Sequence, residues 1–279
     1  MSSAAVYESR YRKWARYALI AVFLAVVLFP IYWMLISSVR PRSSMFSTNP
    51  SLIPTTITFE HYRSVINSNT FVTSFTNSMI VAIAATIVSI TFATLAGYGW
   101  GKFEFPGSQI TAVYVIVTRV MPIVSVIVPL FFILQQFGII DTYLGLVAAY
   151  MVFMLPLTSW MLIGFFENIP DNVLRAGRID GMNELQIYLN IALPMAKPGI
   201  IATALFAFVI AWQEFLFANT FMLSGEKQTV PVMMFGMMNR YTIQWGDLMA
   251  SSILFLVPVV VLFVGMQRYF IRGITGPDA

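Results

Sequence analysis

Two ionisable side chains, Arg119 and Glu214, stand deep inside long apolar runs of this chain. A charge placed in hydrocarbon is costly and normally faces a bundle interior or a wet cavity. The two therefore read in one of two ways. Either they form an ion pair that holds helices together, with each other or with a partner, or they line a solute path and meet hydroxyl or anionic groups. Gln213 and Asn219 are weaker path candidates of the same kind, while Gln135 and Gln136 mark the end of a run. Little else offers chemistry. The absence of cysteine excludes thiolate metal sites and cysteine nucleophiles. His61, the single histidine, reads as a solvated loop side chain rather than a metal ligand. Gly101-Lys102 comes nearest to a phosphate loop, but Ala96 replaces the first glycine and Phe103 stands where Ser or Thr would bind the metal. With no ATP site and no nucleophile–base set, the chain reads as a non-enzyme.

The elements that position these groups follow from composition. The chain is 58% hydrophobic and 10% charged, against about 25% charged in a soluble domain. Its mean hydropathy is +0.79. The net charge of +4 comes from basic residues beside apolar runs, which fits membrane topology and not a nucleic-acid face. Apolar runs near 17–37, 75–99, 109–134, 142–166, 200–222 and 247–270 are long enough to span a bilayer. Each crossing must satisfy its own backbone, so these are helices. The fold class is all-α: a polytopic membrane protein with six transmembrane helices. The first run ends in Ser37-Ser38-Val39-Arg40-Pro41 with no cleavage pattern and reads as a retained span.

An even number of spans puts both termini on one side. If that side is the cytoplasm, it holds Arg10, Arg12, Lys13, Arg16, Lys102, Arg175, Arg178, Lys197, Arg268 and Arg272, which outnumber Arg40, Arg42, Arg63, Lys227 and Arg240 outside. The expected organisation is a cytoplasmic tail over 1–16, one membrane domain over 17–270 and a cytoplasmic tail over 271–279. Pro41, Pro50 and Pro54 make the first outer segment irregular, and Phe59–Ile66 is expected as a short helix along the membrane, with Tyr62 and Trp245 at the interface. Pro122, Pro129, Pro156 and Pro258 interrupt helices three, four and six. Broken helices in corresponding halves are not expected.

The inner loop 167–199 is the most structured connector. Pro170 with Asp171 and Asn172 starts a helix. Gly181 is a C-terminal stop. Asn183 restarts a helix with Leu185, Tyr188, Leu189 and Ala192 on one face, and Pro194 ends it. The expectation is two short helices meeting at a glycine elbow.

This loop resembles the cytoplasmic EAA motif of binding-protein-dependent ABC importer permeases. Arg175-Ala176-Gly177 occupies the Glu-Ala-Ala place, Asp180-Gly181 follows, and Ile191, Leu193-Pro194 and Pro198 come at the expected spacing. Trp100–Gly107 looks like the family's turn ending in Phe-Pro-Gly. Ala211–Ala218 and Gln267–Gly273 are similar to the carbohydrate branch, of the maltose-type second-permease kind. The departures are Arg175, of opposite charge to the usual Glu, and Gly177 in place of alanine.

The resemblance implies a permease of the bacterial inner membrane that docks an ATPase through Arg175, Ala176, Gly177, Arg178, Asp180, Gly181, Glu184, Leu193 and Pro194. With Arg175 reversed, either the ATPase groove differs locally or Arg178 and Glu184 carry the contact. The implied partners are a second homologous permease, two ATP-binding subunits that hold ATP and Mg, an extracytoplasmic solute-binding protein and the lipid bilayer. No cofactor is implied for this chain. The implied solute is a sugar, oligosaccharide, polyol or sugar derivative. The alternatives are an importer of an anionic or other small solute and an ATP-independent secondary carrier.

Overall fold

The computed structural model describes residues 10–45, 52–54, 56–238 and 243–275. Pro50, Arg240 and the chain ends before 10 and after 275 lie outside the described residues, as do the side chains of Arg10, Arg12, Arg268 and Arg272.

In chain order the helices are α1 (Arg10–Ser38), α2 (Glu60–Ile66), α3 (Asn69–Lys102), α4 (Ser108–Val117), α5 (Ile123–Gln136), α6 (Tyr143–Glu167), α7 (Asp171–Ile179), α8 (Glu184–Ile187), α9 (Leu193–Trp212), α10 (Leu216–Phe221), α11 (Val230–Met238) and α12 (Trp245–Thr275). Among the described residues five helices are long and apolar enough to cross a membrane, and the bent pair α4 and α5, taken as one span, makes six. The short helix expected over 59–66 is α2. Parts of the expected tails, 10–16 and 271–275, continue α1 and α12 as helix.

Two spans are interrupted, the third at Pro122 as expected and the fifth where no break was expected. The third bends by 98° between its halves, where Thr118–Val120 tighten into a 3-10 turn and Met121 and Pro122 turn extended. Pro122 cannot donate to the helix ladder, and the residue before a proline is steered out of the helical region. The fifth ends at Trp212 and resumes at Leu216 after a break over 213–215. Pro129, Pro156 and Pro258 instead lie within continuous helices.

The chain divides into two compact units, 1–67 with 240–254, and 68–239 with 255–279. In the first, α1 exposes most of its surface, and α2 closes against its end through a 2.7 Å bond between the Tyr62 and Ser38 hydroxyls. His61 is not solvated as expected: it is 1% exposed. Its Nδ1 lies 2.6 Å from Asp247 Oδ1 and its Nε2 lies 2.9 Å from the Arg40 carbonyl. Ser64 donates to the same carboxylate at 3.0 Å, and Arg42 reaches it at 3.4 Å.

The second unit is built on α3, α6 and α9, which pack together closely. Small residues at the contacts, among them Ala82, Ala85, Ala149 and Ala207, are buried and let the backbones approach. In a bilayer this van der Waals contact drives helix association, because lipid tails are as apolar as the side chains. Trp212 anchors the end of α9. Its ring stacks on Phe208 and Phe255, and its indole N–H donates to the Phe255 carbonyl at 3.0 Å.

Candidate functional site

The connector between α6 and α9 forms an elbow anchored on α3. Its first support is Lys102, whose ammonium donates to the carbonyls of Ile169 at 2.6 Å and Glu167 at 3.3 Å and to Asp171 Oδ1 at 2.8 Å. A cation at the end of α6 satisfies carbonyls that the helix leaves free and complements its dipole. Pro170 stands at the N-cap of α7 without a side-chain cap, since proline carries no side-chain acceptor, and the Asp171 carboxylate is held by Lys102. That bond, ahead of all other influences, holds the Asp171 carboxyl below the usual aspartate value.

At the far end of α7, Gly181 takes φ +83. The Gly181 N–H donates to Arg178 O at 3.1 Å and the Met182 N–H to Gly177 O at 3.0 Å. This paired closure needs a left-handed residue at its centre, which glycine adopts without a Cβ clash. Asn183 then caps α8 in a reciprocal box with Gln186, both bonds at 2.9 Å. The expected elbow at Gly181 is present.

The second arm departs from expectation. Pro194 does not end it; a π-helical stretch, Tyr188–Ala192, runs into α9, and Pro194 sits in the first turn of that helix, where a missing N–H is tolerated. The wider π turn also splits the expected apolar face. Ile187, Tyr188 and Ala192 are buried, while Leu185 and Leu189 are exposed. Tyr188 donates to Thr94 Oγ1 at 2.9 Å, and its ring meets Tyr98 of α3 at 5.2 Å.

The residues expected to dock an ATPase divide into three groups. Arg175, Ala176, Asp180, Gly181 and Pro194 are exposed, with Leu193 half-buried. Gly177 faces inward instead: a Cβ there would lie 2.8 Å from Ile191 Cδ1 and 3.3 Å from Ile187 Cγ1. Arg178 and Glu184 grip each other across the elbow, Nε to Oε1 at 2.6 Å and Nη2 to Oε2 at 3.2 Å. The bond from Arg178 lowers the Glu184 pKa and, reciprocally, raises that of Arg178.

The intramembrane candidates are not brought together as a pair. Glu214 sits in the fifth-span break, and its carboxylate accepts from the N–H groups of Phe217 at 2.9 Å and Ala218 at 3.1 Å. It caps α10 by filling donors that the helix start leaves open. Arg119 lies exposed in the third-span turn, and Gln213 and Asn219 are also exposed.

Sequence reasoning missed Lys102 as an anchor and Asp141 as a clasp on the loop after α5. Asp141 takes φ 58, and its Oδ1 accepts from the Leu223 N–H at 3.0 Å, the Ser224 N–H at 3.2 Å and the Ser224 hydroxyl at 3.0 Å. Lys227 adds a bond of 2.5 Å to the Asp141 carbonyl. Each contact joins residues over 60 positions apart, so no local pattern announces it.

Comparison with known proteins places this geometry. The chain is 29% identical over 95% of its length, and 95% of the relative's, to a diacetylchitobiose uptake system permease of Streptomyces coelicolor. It is 31% identical, with 93% of each chain covered, to an inner membrane ABC transporter permease of Escherichia coli. It is 30% identical to a trehalose/maltose transport system permease of Thermococcus litoralis, covering 91% of this chain and 92% of that one. In fold it is similar to a chain of a bacterial ABC transporter involved in the import of the acidic polysaccharide alginate. That match has a TM-score of 0.83 at 20% identity and covers 96% of this chain and 100% of that one. Residues 93–276, which hold the broken spans, the elbow and its anchors, match the family described as binding-protein-dependent transport system inner membrane component. The chain belongs to that family, as a multi-pass membrane permease of ABC import.

Proposed function

We propose that this chain carries a sugar or oligosaccharide inward by alternating access, driven by ATPase subunits that dock on the elbow around Gly181. The observation that carries the docking reading is the exposure of apolar side chains at the elbow: Ile179 is 86% exposed and Leu185 63%. Large apolar side chains clustered on a polar loop mark a protein contact. In this reading ATP and Mg belong to two ATP-binding subunits. A second homologous permease completes the pathway, and an extracytoplasmic binding protein delivers solute. Both termini face the cytoplasm, following the distribution of Lys and Arg.

The sugar class rests on the relatives named for diacetylchitobiose and trehalose/maltose uptake. They favour it over the anionic-solute reading. Family membership sets aside the ATP-independent carrier, although the broken third and fifth spans supply the interruptions that such carriers also use.

The test replaces Ile179 and Leu185 together by aspartate in the full transporter. Charges placed in the docking surface should abolish co-purification of the ATPase and ATP-driven disaccharide uptake, with the permease still inserted at normal level. Retention of both activities by the double variant sinks the docking assignment.

A further inference from the structure

We propose that the ATPase groove receiving this elbow presents a carboxylate to Arg175; this rests on the docking reading above. The outward face of α7 carries Asn172, Arg175, Ala176 and Ile179, all exposed and spaced as one helical stripe. Leu174 and Gly177 occupy the opposite, buried stripe. Two pairs of charges around the elbow are already matched within the chain. Asp171 is held by Lys102, and Glu184 by Arg178. Arg178 and Glu184 thus already answer each other's charge. Asp180 lies at the C-cap, beyond the stripe.

Arg175 is therefore the charge on the outward stripe of α7. Among the described residues it makes no ion pair or hydrogen bond, and it acts on Asp171 only through space. Docking would strip water from its guanidinium. A desolvated cation without a counter-charge is costly enough to oppose binding. The groove must supply acceptors, and a carboxylate matches the guanidinium fork with two parallel bonds. Ala176 beside it adds no bulk that would hold the groove away. The elbow thus carries a positive key where the related pattern has an acidic residue, and this ATPase is excluded from partners built for the acidic form.

The experiment uses the complete transporter in lipid nanodiscs. ATPase retention is measured against NaCl concentration for the natural chain, Arg175→Lys, Arg175→Gln and Arg175→Glu. Opposed charges at a contact mainly alter salt dependence, whereas facing like charges repel strongly. Arg175→Glu should retain the ATPase roughly tenfold less than Arg175→Gln at low salt, converging with it as salt screens the repulsion. Arg175→Lys should stay near the natural chain. Equal retention of Arg175→Glu and Arg175→Gln at every salt concentration means neutral acceptors face Arg175 and overturns the proposal. Tighter binding by Arg175→Glu overturns it as well, since the groove is then basic. Because the chain has no cysteine, Leu185→Cys provides a unique cross-linking site. A cross-link to the ATPase keeps the docking reading standing whichever way the charge test falls. No cross-link, with all Arg175 variants unchanged, fails the docking reading itself.

Discussion

The Lys102 ammonium, at the C-terminal end of α3, lies 2.8 Å from the Asp171 carboxylate at the start of α7. The same ammonium closes the end of α6 through Ile169 O at 2.6 Å. One buried cation thus joins two spans to the first arm of the elbow. Lys102→Met keeps an unbranched apolar stem, one atom shorter, but removes three donors. The expected outcome is a transporter in which ATP hydrolysis persists while uptake falls severalfold. Measuring both rates on the same nanodisc preparation checks it; unchanged uptake per ATP hydrolysed contradicts the role.

Gly177 makes a different prediction from the docking role first expected of it. A Cβ there meets Ile191 Cδ1 at 2.8 Å, the far end of a side chain that can rotate away. Gly177→Ala should therefore behave nearly as the natural chain. Gly177→Val adds a branched Cβ with two methyl groups against Ile187 and Ile191 and should destabilise the elbow by about 1–3 kcal/mol. Protease sensitivity of the 170–190 segment, compared across both variants, reads this directly.

Glu214 tests a cap against a solute ligand. Its two backbone bonds to Phe217 and Ala218 define the start of α10. Glu214→Ala removes both and should lower stability by about 1–2 kcal/mol, within the range for lost caps. Glu214→Gln keeps one acceptor oxygen, so uptake should drop modestly with an unchanged KM for the transported solute. A large rise in KM in Glu214→Gln, without loss of stability, would show that the carboxylate meets solute.

Asp141 gives the loop beyond α5 a dependence on pH. Burial, the largest influence, pushes its pKa up, but hydrogen bonds from Ser224 and Leu223 and the Lys227 charge together leave it lowered. A lowered folded-state value means that its stabilisation is present above the ordinary carboxylate range. It is lost as pH falls through the lowered value. The clasp on 223–227 should hold at neutral pH and loosen below about pH 4. Hydrogen exchange of the Leu223 and Ser224 amides across pH checks this, and Asp141→Asn should remove the acid-dependent step.

The fold was largely legible because its signals are local. Long apolar runs require helices in a membrane, and their positions agree with the spans apart from the breaks at 118–122 and 213–215. The elbow was legible for the same reason: Gly181 and the Asn183–Gln186 box act within a few residues. Breaks were harder to foresee. Proline occurs both at the third-span break and inside unbroken α6, so the sequence pattern does not distinguish the two outcomes.

By itself the sequence determined the membrane class, the number of spans, the elbow and the reversed charge at Arg175. Hydropathy and turn chemistry act over short stretches, and a charge is a property of one residue. Only the tertiary structure decided which charges are already taken. It set Arg178 against Glu184, Lys102 against Asp171, and His61 against Asp247. Of these, the Lys102 and His61 partners lie far away in the chain, and Arg178 meets Glu184 only because Gly181 turns the backbone. Such pairings depend on how helices pack, and that packing left Arg175 as the cation on the outward face.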